Sequence, residues 1–346
     1  MLSSAHSAAQ AIETLARRTG IAIPVYFPPG GEHDLGTDLL RDTVAACLEV
    51  LGDPEYLSVS VDGEDCGREV AQALHREYGV GYSVAPQNRG KLHALRLGMA
   101  PLLARQELDY FAVVDADGDH FPSELATMVR AALHAGDQPG VGDVLVLGSR
   151  TSRHRPMGFL RGELEELADR VLYDALHYHA AVAGQPLRLE WVTPIEEFPD
   201  FHSGYKLFTR GAGELVFRGE PDLCGVTEDA YYKHGCEAVM VVEALLGGAY
   251  LVPVRRTTFN EQPVSAFGLL DRTRLVADKM AWPCKRLQVP VAFVDQFLRN
   301  HIPRLLLNTL SPQGREELMQ IRDLVLADFG MSPPADEDVI WGPPFV

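Results

Sequence analysis

The sequence predicts an α/β fold in which helices cover both faces of a mostly parallel sheet. Short apolar runs alternate with segments whose apolar residues recur every three to four positions. Strands that alternate with helices of this length are joined by crossover connections, so they pair in parallel. The predicted strands are 21–27, 56–62, 80–84, 110–114 and 143–148.

The predicted helices each carry one apolar face at helical spacing. Such faces occur in 39–51, 70–78 and 164–176. From about residue 269 the pattern becomes wholly helical and is interrupted by prolines, which indicates a separate helical appendage. The predicted organisation is therefore one large α/β domain, a helical C-terminal appendage and a loose Pro-rich tail, at 1–268, 269–330 and 331–346.

Composition excludes several classes of protein. The 346 residues are 46% hydrophobic, enough for a full core, and the formal net charge is −17. This charge argues against nucleic acid or an anionic membrane surface as the partner. The five cysteines include no Cys-x-x-Cys pair, so neither disulfides nor a zinc site are expected. No apolar run approaches the ~18 residues of a membrane span, and the first residues do not resemble a signal peptide. A soluble, cytoplasmic protein without a transmembrane segment is expected.

The most informative segment is an acidic turn after the fourth predicted strand. Asp115, Asp117 and Asp119 follow an apolar run, and a helix predicted to begin near Pro122 comes next. In open α/β sheets, ligands bind at the carboxyl ends of the strands. Carboxylate oxygens suit a hard divalent cation, which keeps open positions for phosphates. Taken alone, the turn is equally explained by acids that cap the next helix.

Further short segments occur in a fixed order around this turn. They are Pro24-Val25-Tyr26, Val61-Asp62-Gly63, Asn88-Arg89-Gly90-Lys91, Gly148-Ser149-Arg150 and Ser203-Gly204-Tyr205-Lys206-Leu207-Phe208-Thr209-Arg210. Together with Asp115–Glu124 they resemble the family-2 glycosyltransferases of GT-A fold, especially the polyprenyl-phosphate (dolichol-phosphate mannose synthase-like) branch. The resemblance spans roughly residues 21–268. It departs from the family at Phe27, where the family has Asn, and at Val61, where it has Asp. The segment 177–199 is also longer than in this branch.

The resemblance implies a sugar transferase that uses a UDP- or GDP-sugar donor and Mn²⁺ or Mg²⁺, with inversion as the default. Asp117 is the more direct metal ligand, and Asp115 is shared between the metal and the ribose. Asp119 is assigned to turn chemistry or to a helix cap. The residues expected to bind the donor are Pro24, Tyr26, Asp62, Lys91, Asp115, Ala116, Asp117 and Arg150. Those expected to bind the acceptor are Ser203, Gly204, Tyr205 and Arg210.

Two acids compete for the catalytic role in 227–243. Asp229 belongs to a Glu-Asp pair that would supply a general base for a hydroxyl acceptor, as in many family-2 enzymes. Glu237 has the spacing to Pro253 seen in the polyprenyl-phosphate branch. A phosphate acceptor is already anionic at neutral pH and needs no base. Both assignments remain open.

The acceptor is expected to be a small soluble molecule or a lipid phosphate. Residues 286–310 are amphipathic but carry few cations, which favours core or homodimer packing over membrane docking. The alternatives are a retaining synthase of the glucosyl- or mannosyl-glycerate type and a catalytically inactive GT-A binding module. A nucleotidyltransferase is disfavoured because the segment 28–32, after the first predicted strand, has no nearby Arg or Lys. A glycoside hydrolase is disfavoured because it needs two carboxylates that flank a sugar, and acids two residues apart at one strand end do not provide them.

Overall fold

The computed structural model of the chain describes residues 7–30, 33–192, 197–257, 271–335 and 340–341. The predicted α/β class is confirmed. One seven-stranded sheet has the order β3-β2-β1-β4-β6-β5-β7, and every neighbouring pair except those made by β6 is parallel. The strands are β1 (Thr19–Val25), β2 (Leu57–Val61), β3 (Gly81–Val84), β4 (Tyr110–Val113), β5 (Val144–Arg150), β6 (Lys206–Thr209) and β7 (Tyr250–Arg256).

Helices flank this sheet and continue beyond it. They are α1 (Ala8–Arg18), α2 (Asp34–Val50), α3 (Arg68–Tyr78), α4 (Lys91–Ala104), α5 (Leu125–Gly136), α6 (His154–Ala183), α7 (Arg210–Arg218), α8 (Cys236–Leu246), α9 (Arg272–Arg286), α10 (Val291–His301), α11 (Leu307–Leu310) and α12 (Gly314–Asp328). Single turns of 3₁₀-helix occur at Pro54–Tyr56, Pro122–Glu124 and Ile302–Arg304, and a π-helical turn at Asp229–His234. A non-helical φ/ψ at Gly158 breaks α6.

Two hydrophobic layers enclose the sheet. One contains the apolar faces of α1, α2, α3 and α5, and the other contains those of α4, α6, α7 and α8. All five residues of β2 are buried, as expected for a parallel strand that is covered on both sides. The strand ends that carry polar residues therefore lie at the margin of a continuous core. Packing in this core fixes the positions of the strand ends.

The C-terminal helices share the second of these layers. Trp282 of α9 is fully buried, packs against Tyr231 and donates from its indole nitrogen to the Asp222 carbonyl oxygen at 2.9 Å. Ile340 is buried against the same cluster. The predicted boundary at 268/269 and most of the predicted tail lie outside the described residues, so the division into domains stays a prediction.

Two strands were not among those predicted from the sequence. β7 includes a proline, which weakens a strand pattern. β6 has only four residues and starts with a buried lysine. Its antiparallel direction has a consequence for the site, because β6 carries its C-terminal residues to the opposite edge of the sheet. Among the described helices, none has the length and apolar character needed to cross a bilayer.

The burial of Trp282 predicts that α9 unfolds together with the sheet. Trp282→Ala should lower the free energy of unfolding by about 3–5 kcal/mol, because it leaves a cavity in the shared core. Urea unfolding followed by circular dichroism measures the change. The matched control is Phe293→Ala in α10, whose side chain is 47% exposed and whose loss should cost less than about 1 kcal/mol. A loss below about 1 kcal/mol for Trp282→Ala would show that α9 is not part of the cooperative core.

Candidate active site

The candidate site lies where the strand order of the sheet reverses. β1 is paired with β2 on one side and with β4 on the other, and all three are parallel. Their carboxyl ends therefore meet at one edge, with Tyr26 after β1, Asp62 after β2 and Asp115 after β4. Such a switch point forms a crevice that binds ligands in open α/β folds. Tyr26 is 42% exposed there, and Pro24 is the next-to-last residue of β1.

Lys91 joins two carboxylates in the centre of this edge. Its Nζ lies 2.8 Å from Oδ1 and 3.0 Å from Oδ2 of Asp115, and 2.9 Å from Oε1 of Glu237. Lys91 is the first residue of α4, and Glu237 lies in the first turn of α8. All three side chains are largely shielded from solvent. We call Lys91, Asp115 and Glu237 the central triad.

The central triad shifts the pKa of each of its members. Burial lowers the pKa of Lys91, but Asp115 and Glu237 outweigh burial and raise it well above its ordinary value. Burial raises the pKa of the two acids, but the Lys91 ammonium outweighs burial, so the pKa of Asp115 lies below its usual range and that of Glu237 is about 2. All three groups are therefore charged at neutral pH.

Two glycines allow the backbone to approach the central triad. Gly90 has a φ of 120°, and a Cβ at this position would lie 2.5 Å from the carbonyl carbon and oxygen of Tyr232. A Cβ on Gly204 would lie 2.6 Å from Oδ2 of Asp115 and 3.1 Å from Nζ of Lys91. Gly204 was expected to bind the acceptor, and the structure places its backbone directly against the triad.

The acidic turn separates its three aspartates into different environments. Oδ1 of Asp117 accepts a hydrogen bond from the Asp119 amide at 3.2 Å. Asp119 forms a buried ion pair with Arg256 of β7 at 2.9 Å. This pairing explains why Asp119 is not a free ligand, and it corrects the expectation of a helix cap, since Phe121 precedes the 3₁₀ turn at Pro122.

The side chains of His120 and Tyr205 hold the acidic turn in place. Nδ1 of His120 accepts the Asp115 amide at 2.9 Å, and its ring stacks on Tyr205 at 4.5 Å with an angle of 10°. Burial lowers the pKa of His120 well below its ordinary value, so the ring is neutral. The Tyr205 hydroxyl donates to the Phe121 carbonyl oxygen at 2.8 Å and its side chain is fully buried. Tyr205 therefore supports the acidic turn, and the acceptor contact expected of it stays a prediction.

The pKa of Asp117 is shifted in the opposite direction from that of Asp115. Burial and the neighbouring Asp115 raise the pKa of Asp117 to about 6. The two carboxylates are only two residues apart, and the environment of Asp117 disfavours its charged form. A divalent cation bound to both would stabilise their negative charges. The residues present thus fit the predicted metal, with Asp117 and Asp115 as the ligands, while Ala116 between them packs against the core.

Asp62 organises the loop in front of α4. Its Oδ1 accepts the Arg89 amide at 2.9 Å and its Oδ2 accepts the Gly90 amide at 2.8 Å. The carboxylate therefore fixes the residues that deliver Lys91 to the triad. The contacts of Asp62 and Lys91 with a nucleoside or phosphate stay predictions. Phe27, the departure from the family pattern, fills the space between Gly36 and Gly67 and stacks on His33.

Arg150 is largely buried among acidic side chains. Its side chain is 5% exposed, pairs with both oxygens of Asp200 at 2.6 and 2.8 Å, and reaches Glu165 at 2.9 Å. The donor contact expected of Arg150 stays a prediction. Ser203 is also engaged, since its hydroxyl donates to the Gly148 carbonyl oxygen at 2.6 Å.

Arg210 and Asp229 do not belong to the central triad. Because β6 is antiparallel, Thr209 pairs with Tyr110 at the start of β4, so Arg210 lies at the edge opposite Asp115. Its guanidinium group donates to the carbonyl oxygens of Leu103, Arg105 and Leu108. The acceptor contact expected of Arg210 stays a prediction. The Asp229 side chain is 58% exposed and pairs with Lys233 at 3.0 Å.

Sequence reasoning assigned no role to Lys206, which the structure places beneath the site. Its ammonium is fully buried and donates to the carbonyl oxygens of Phe201 and Ser203. Burial lowers the pKa of Lys206 to about 8. Lys206 thereby holds the segment that presents Gly204 to the triad. Its position inside the Ser-Gly-Tyr-Lys block was the one available signal.

The site is therefore that of an α/β protein with buried acidic residues at a topological switch point. Comparison with solved structures finds S. aureus TarS at 11% identity, over 93% of this chain and 50% of that chain, with a TM-score of 0.43. A structure of S. aureus TarS 1–349 in complex with UDP is matched at 13% identity over 93% of this chain and 83% of that one, with a TM-score of 0.46. The chain thus spans half the length of the first TarS structure. No family model matches the sequence, and no curated protein does.

The triad predicts a defined pH dependence of stability. Glu237 has a folded pKa of about 2, below its ordinary 4.5, and the pKa of Asp115 is lowered as well, so their contribution is complete above about pH 4.5 and declines as pH falls toward 2. Lys91→Met should cost about 3–5 kcal/mol at pH 7, because it leaves two buried carboxylates uncompensated. Its deficit should shrink as pH falls from 4.5 to 2.

Urea unfolding at a series of pH values measures this dependence. The matched control is Lys233→Met, which removes an ion pair whose acid is 58% exposed and should cost less than about 1 kcal/mol at every pH. A Lys91→Met deficit that is small, or that is the same at pH 7 and at pH 3, would contradict the charge assignment of the triad.

Proposed function

We propose that this chain is a metal-dependent glycosyltransferase of GT-A fold, which moves a sugar from a nucleoside-diphosphate sugar to an acceptor with inversion. One observation carries the proposal. At the switch point Asp117 lies beside Asp115, and burial together with the Asp115 carboxylate raises the pKa of Asp117 to about 6. A divalent cation bound by these two carboxylates would favour their charged forms, and the crevice at the strand ends would hold the diphosphate that it carries. The ordered family-2 motifs support the same assignment.

The reaction requires charge to be stabilised on the leaving group. An acceptor oxygen forms a bond to the anomeric carbon, and the bond from that carbon to the phosphate oxygen breaks with its electron pair on the nucleoside diphosphate. Asp117 and Asp115 would hold the metal, which would supply Lewis-acid stabilisation of this developing charge. The Lys91 ammonium, 2.8 Å from Asp115, provides a positive charge close to the same position.

The chain's own residues orient the donor. The exposed Tyr26 at the end of β1 offers a ring surface to the nucleoside. The loop fixed by Asp62 places the amino end of α4 at the crevice, where free amide groups and the helix dipole favour phosphate oxygens. Gly204 lets the backbone pack directly against Asp115, since a Cβ there would lie 2.6 Å from Oδ2 of that carboxylate.

Activation of the acceptor follows from the charges of the two candidate acids. Glu237 has a pKa of about 2, far below neutral pH, so it is a weak general base and serves instead to orient Lys91. Asp229 is exposed and remains the candidate base for a hydroxyl acceptor. An acceptor that is already anionic needs neither. We therefore favour an anionic acceptor, as the resemblance to the polyprenyl-phosphate branch implies.

The metal role of Asp117 is tested by removing its charge. Asp117→Asn should raise the melting temperature of the metal-free protein at pH 8 by roughly 1–3 °C, because the ionised carboxylate is disfavoured by burial. The same change should abolish the Mn²⁺-dependent binding of UDP and GDP. Differential scanning fluorimetry and isothermal titration calorimetry measure the two effects. Wild-type affinity for Mn²⁺ and UDP in Asp117→Asn would overturn the metal assignment.

Asp119→Asn in the same turn is the matched control. It weakens the ion pair with the buried Arg256 and should lower the melting temperature, but it retains both proposed metal ligands. Its Mn²⁺-dependent nucleotide binding should persist. A wild-type protein that binds no nucleotide at all with Mn²⁺ or Mg²⁺ would favour the inactive binding module. If nucleotide binds, incubation with a panel of sugar nucleotides and product analysis identify the sugar.

A further inference from the structure

The first half of α6 brings a histidine and two glutamates together. His154, Glu163 and Glu166 each offer one possible ligand atom, and these atoms all lie within 4.8 Å of one another. Nε2 of His154 lies 2.8 Å from Oε1 of Glu163. We call these three residues the His-Glu-Glu cluster. Neither the metal assigned to the acidic turn nor the sugar-nucleotide donor uses it.

A break in α6 makes the contact between His154 and Glu163 possible. Gly158 has a φ of 76° and a ψ of 167°, which are not helical. In an unbroken helix, residues nine positions apart would be separated by about 13 Å along the axis. The break turns the first residues of α6 back over the helix, so the histidine reaches the glutamate. Gly162 leaves room for the ring, since a Cβ there would lie 2.7 Å from Cδ2 of His154.

Glu163 is a buried acid that pairs with neither a lysine nor an arginine among the described residues. It is 3% exposed. The buried acids that pair with an arginine are Asp119, Glu165, Asp169, Asp200, Asp278, Asp295 and Glu317. Asp62 instead accepts two backbone amides. Glu163 has one amide, from Leu307 at 3.2 Å, and the ring of His154. A buried carboxylate with so little compensation indicates a missing positive charge.

The hydrogen bonds around the cluster orient its carboxylates. The Leu307 amide donates to Oε2 of Glu163, so Oε1 is the oxygen that faces His154. Nε and one Nη of Arg170 both donate to Oε1 of Glu166, at 3.0 and 2.9 Å, and Oε2 stays available to an ion. Outer hydrogen bonds of this kind hold the carboxylate ligands of metal sites. The side chains of His154 and Glu166 are 38% and 22% exposed, so an ion can enter from solvent.

We propose that the His-Glu-Glu cluster binds a first-row transition-metal ion of the Zn²⁺ type. The ligands are Nε2 of His154 and one oxygen each from Glu163 and Glu166, and a water completes a tetrahedron. Bonds of about 2.1 Å place ligand atoms about 3.4 Å apart, so shifts of roughly 1 Å close the cluster around the ion. The ion supplies the positive charge that Glu163 lacks. Through the Leu307 amide, it also connects the first turn of α6 to α11.

This ion differs from the one assigned to the acidic turn. An imidazole nitrogen is a good ligand for Zn²⁺ and a poor one for Mg²⁺, whereas carboxylates alone suit Mg²⁺ and Mn²⁺. The two sites share no ligand. The proposal therefore goes beyond the proposed function and does not rest on it.

Titration calorimetry of the metal-free full chain with ZnCl₂ tests the cluster. Every protein in the series carries Asp117→Asn, so that the acidic turn contributes little to zinc binding. This reference protein should bind one Zn²⁺ saturably, and a hundredfold excess of Mg²⁺ should not displace it. Adding His154→Ala or Glu163→Gln should weaken binding at least tenfold. The matched control is His177→Ala, which removes an exposed histidine further along α6 and should change the affinity less than twofold.

Melting temperatures separate the loss of a ligand from the loss of the fold. Glu163→Gln keeps an oxygen that can accept the Leu307 amide and removes a buried charge, so its metal-free melting temperature should not fall. Zinc at a hundredfold excess over its Kd should raise the melting temperature of the reference protein by at least about 2 °C. It should leave Glu163→Gln unchanged at the same concentration. Differential scanning fluorimetry measures both effects.

Absence of saturable zinc binding by the reference protein overturns the proposal, as does equal zinc affinity with and without His154→Ala. Separate titration of UDP with Mn²⁺ keeps the cluster distinct from the proposed function. His154→Ala alone should bind UDP as the wild type does. If zinc binds through His154 but the wild type binds no nucleotide, the glycosyltransferase assignment fails and the cluster stands. If nucleotide binds but zinc does not, the cluster fails alone.

Discussion

The contact on which the rest of the site depends is the bridge from Lys91 to Asp115 and Glu237. It connects the start of α4, the end of β4 and the start of α8, which are distant in sequence. Burying three charges is costly, and the cost is offset only when each ion stays close to its counter-ion. The surrounding backbone is adapted to this condition. Gly90 and Gly204 leave the room that the bridge needs, and no other residue type fits either position without displacing a neighbour.

The supporting contacts follow from that requirement. Asp62 fixes the two amides that precede Lys91, and the Lys206 ammonium fixes the carbonyl oxygens that precede Gly204. His120 fixes the amide of Asp115 itself. These are buried polar groups that are hydrogen-bonded inside a largely apolar layer, so a change in one of them shifts the geometry of the others. The site is therefore held by local hydrogen bonds at three strand ends as well as by the central ion pairs.

The sequence alone predicted the α/β layers and the sheet edge at which the site lies. It did not predict which charged side chains pair there. Sequence patterns predicted the first five strands and the helices at 39–51, 70–78 and 164–176. Burial of one face makes apolar residues recur at regular spacing, and this spacing is visible within each segment. Lys91 and Glu237 are separated by 146 positions, and no local pattern encodes such a contact. The direction of β6 also depends on its neighbours, so the edge at which Arg210 lies cannot be read from its own segment. The partners of Arg150, Asp200 and Glu165, lie 50 and 15 residues away, so its ion pairs have no local signature either.

The acidic turn shows how these contacts favour a cation at the strand ends. Asp115 is held by Lys91 at 2.8 Å and Asp119 by the buried Arg256 at 2.9 Å. Asp117 lies between them, and burial together with the Asp115 carboxylate raises its pKa to about 6. A divalent cation bound there would favour the charged form of Asp117, which is the charge balance that the proposed function requires of this edge.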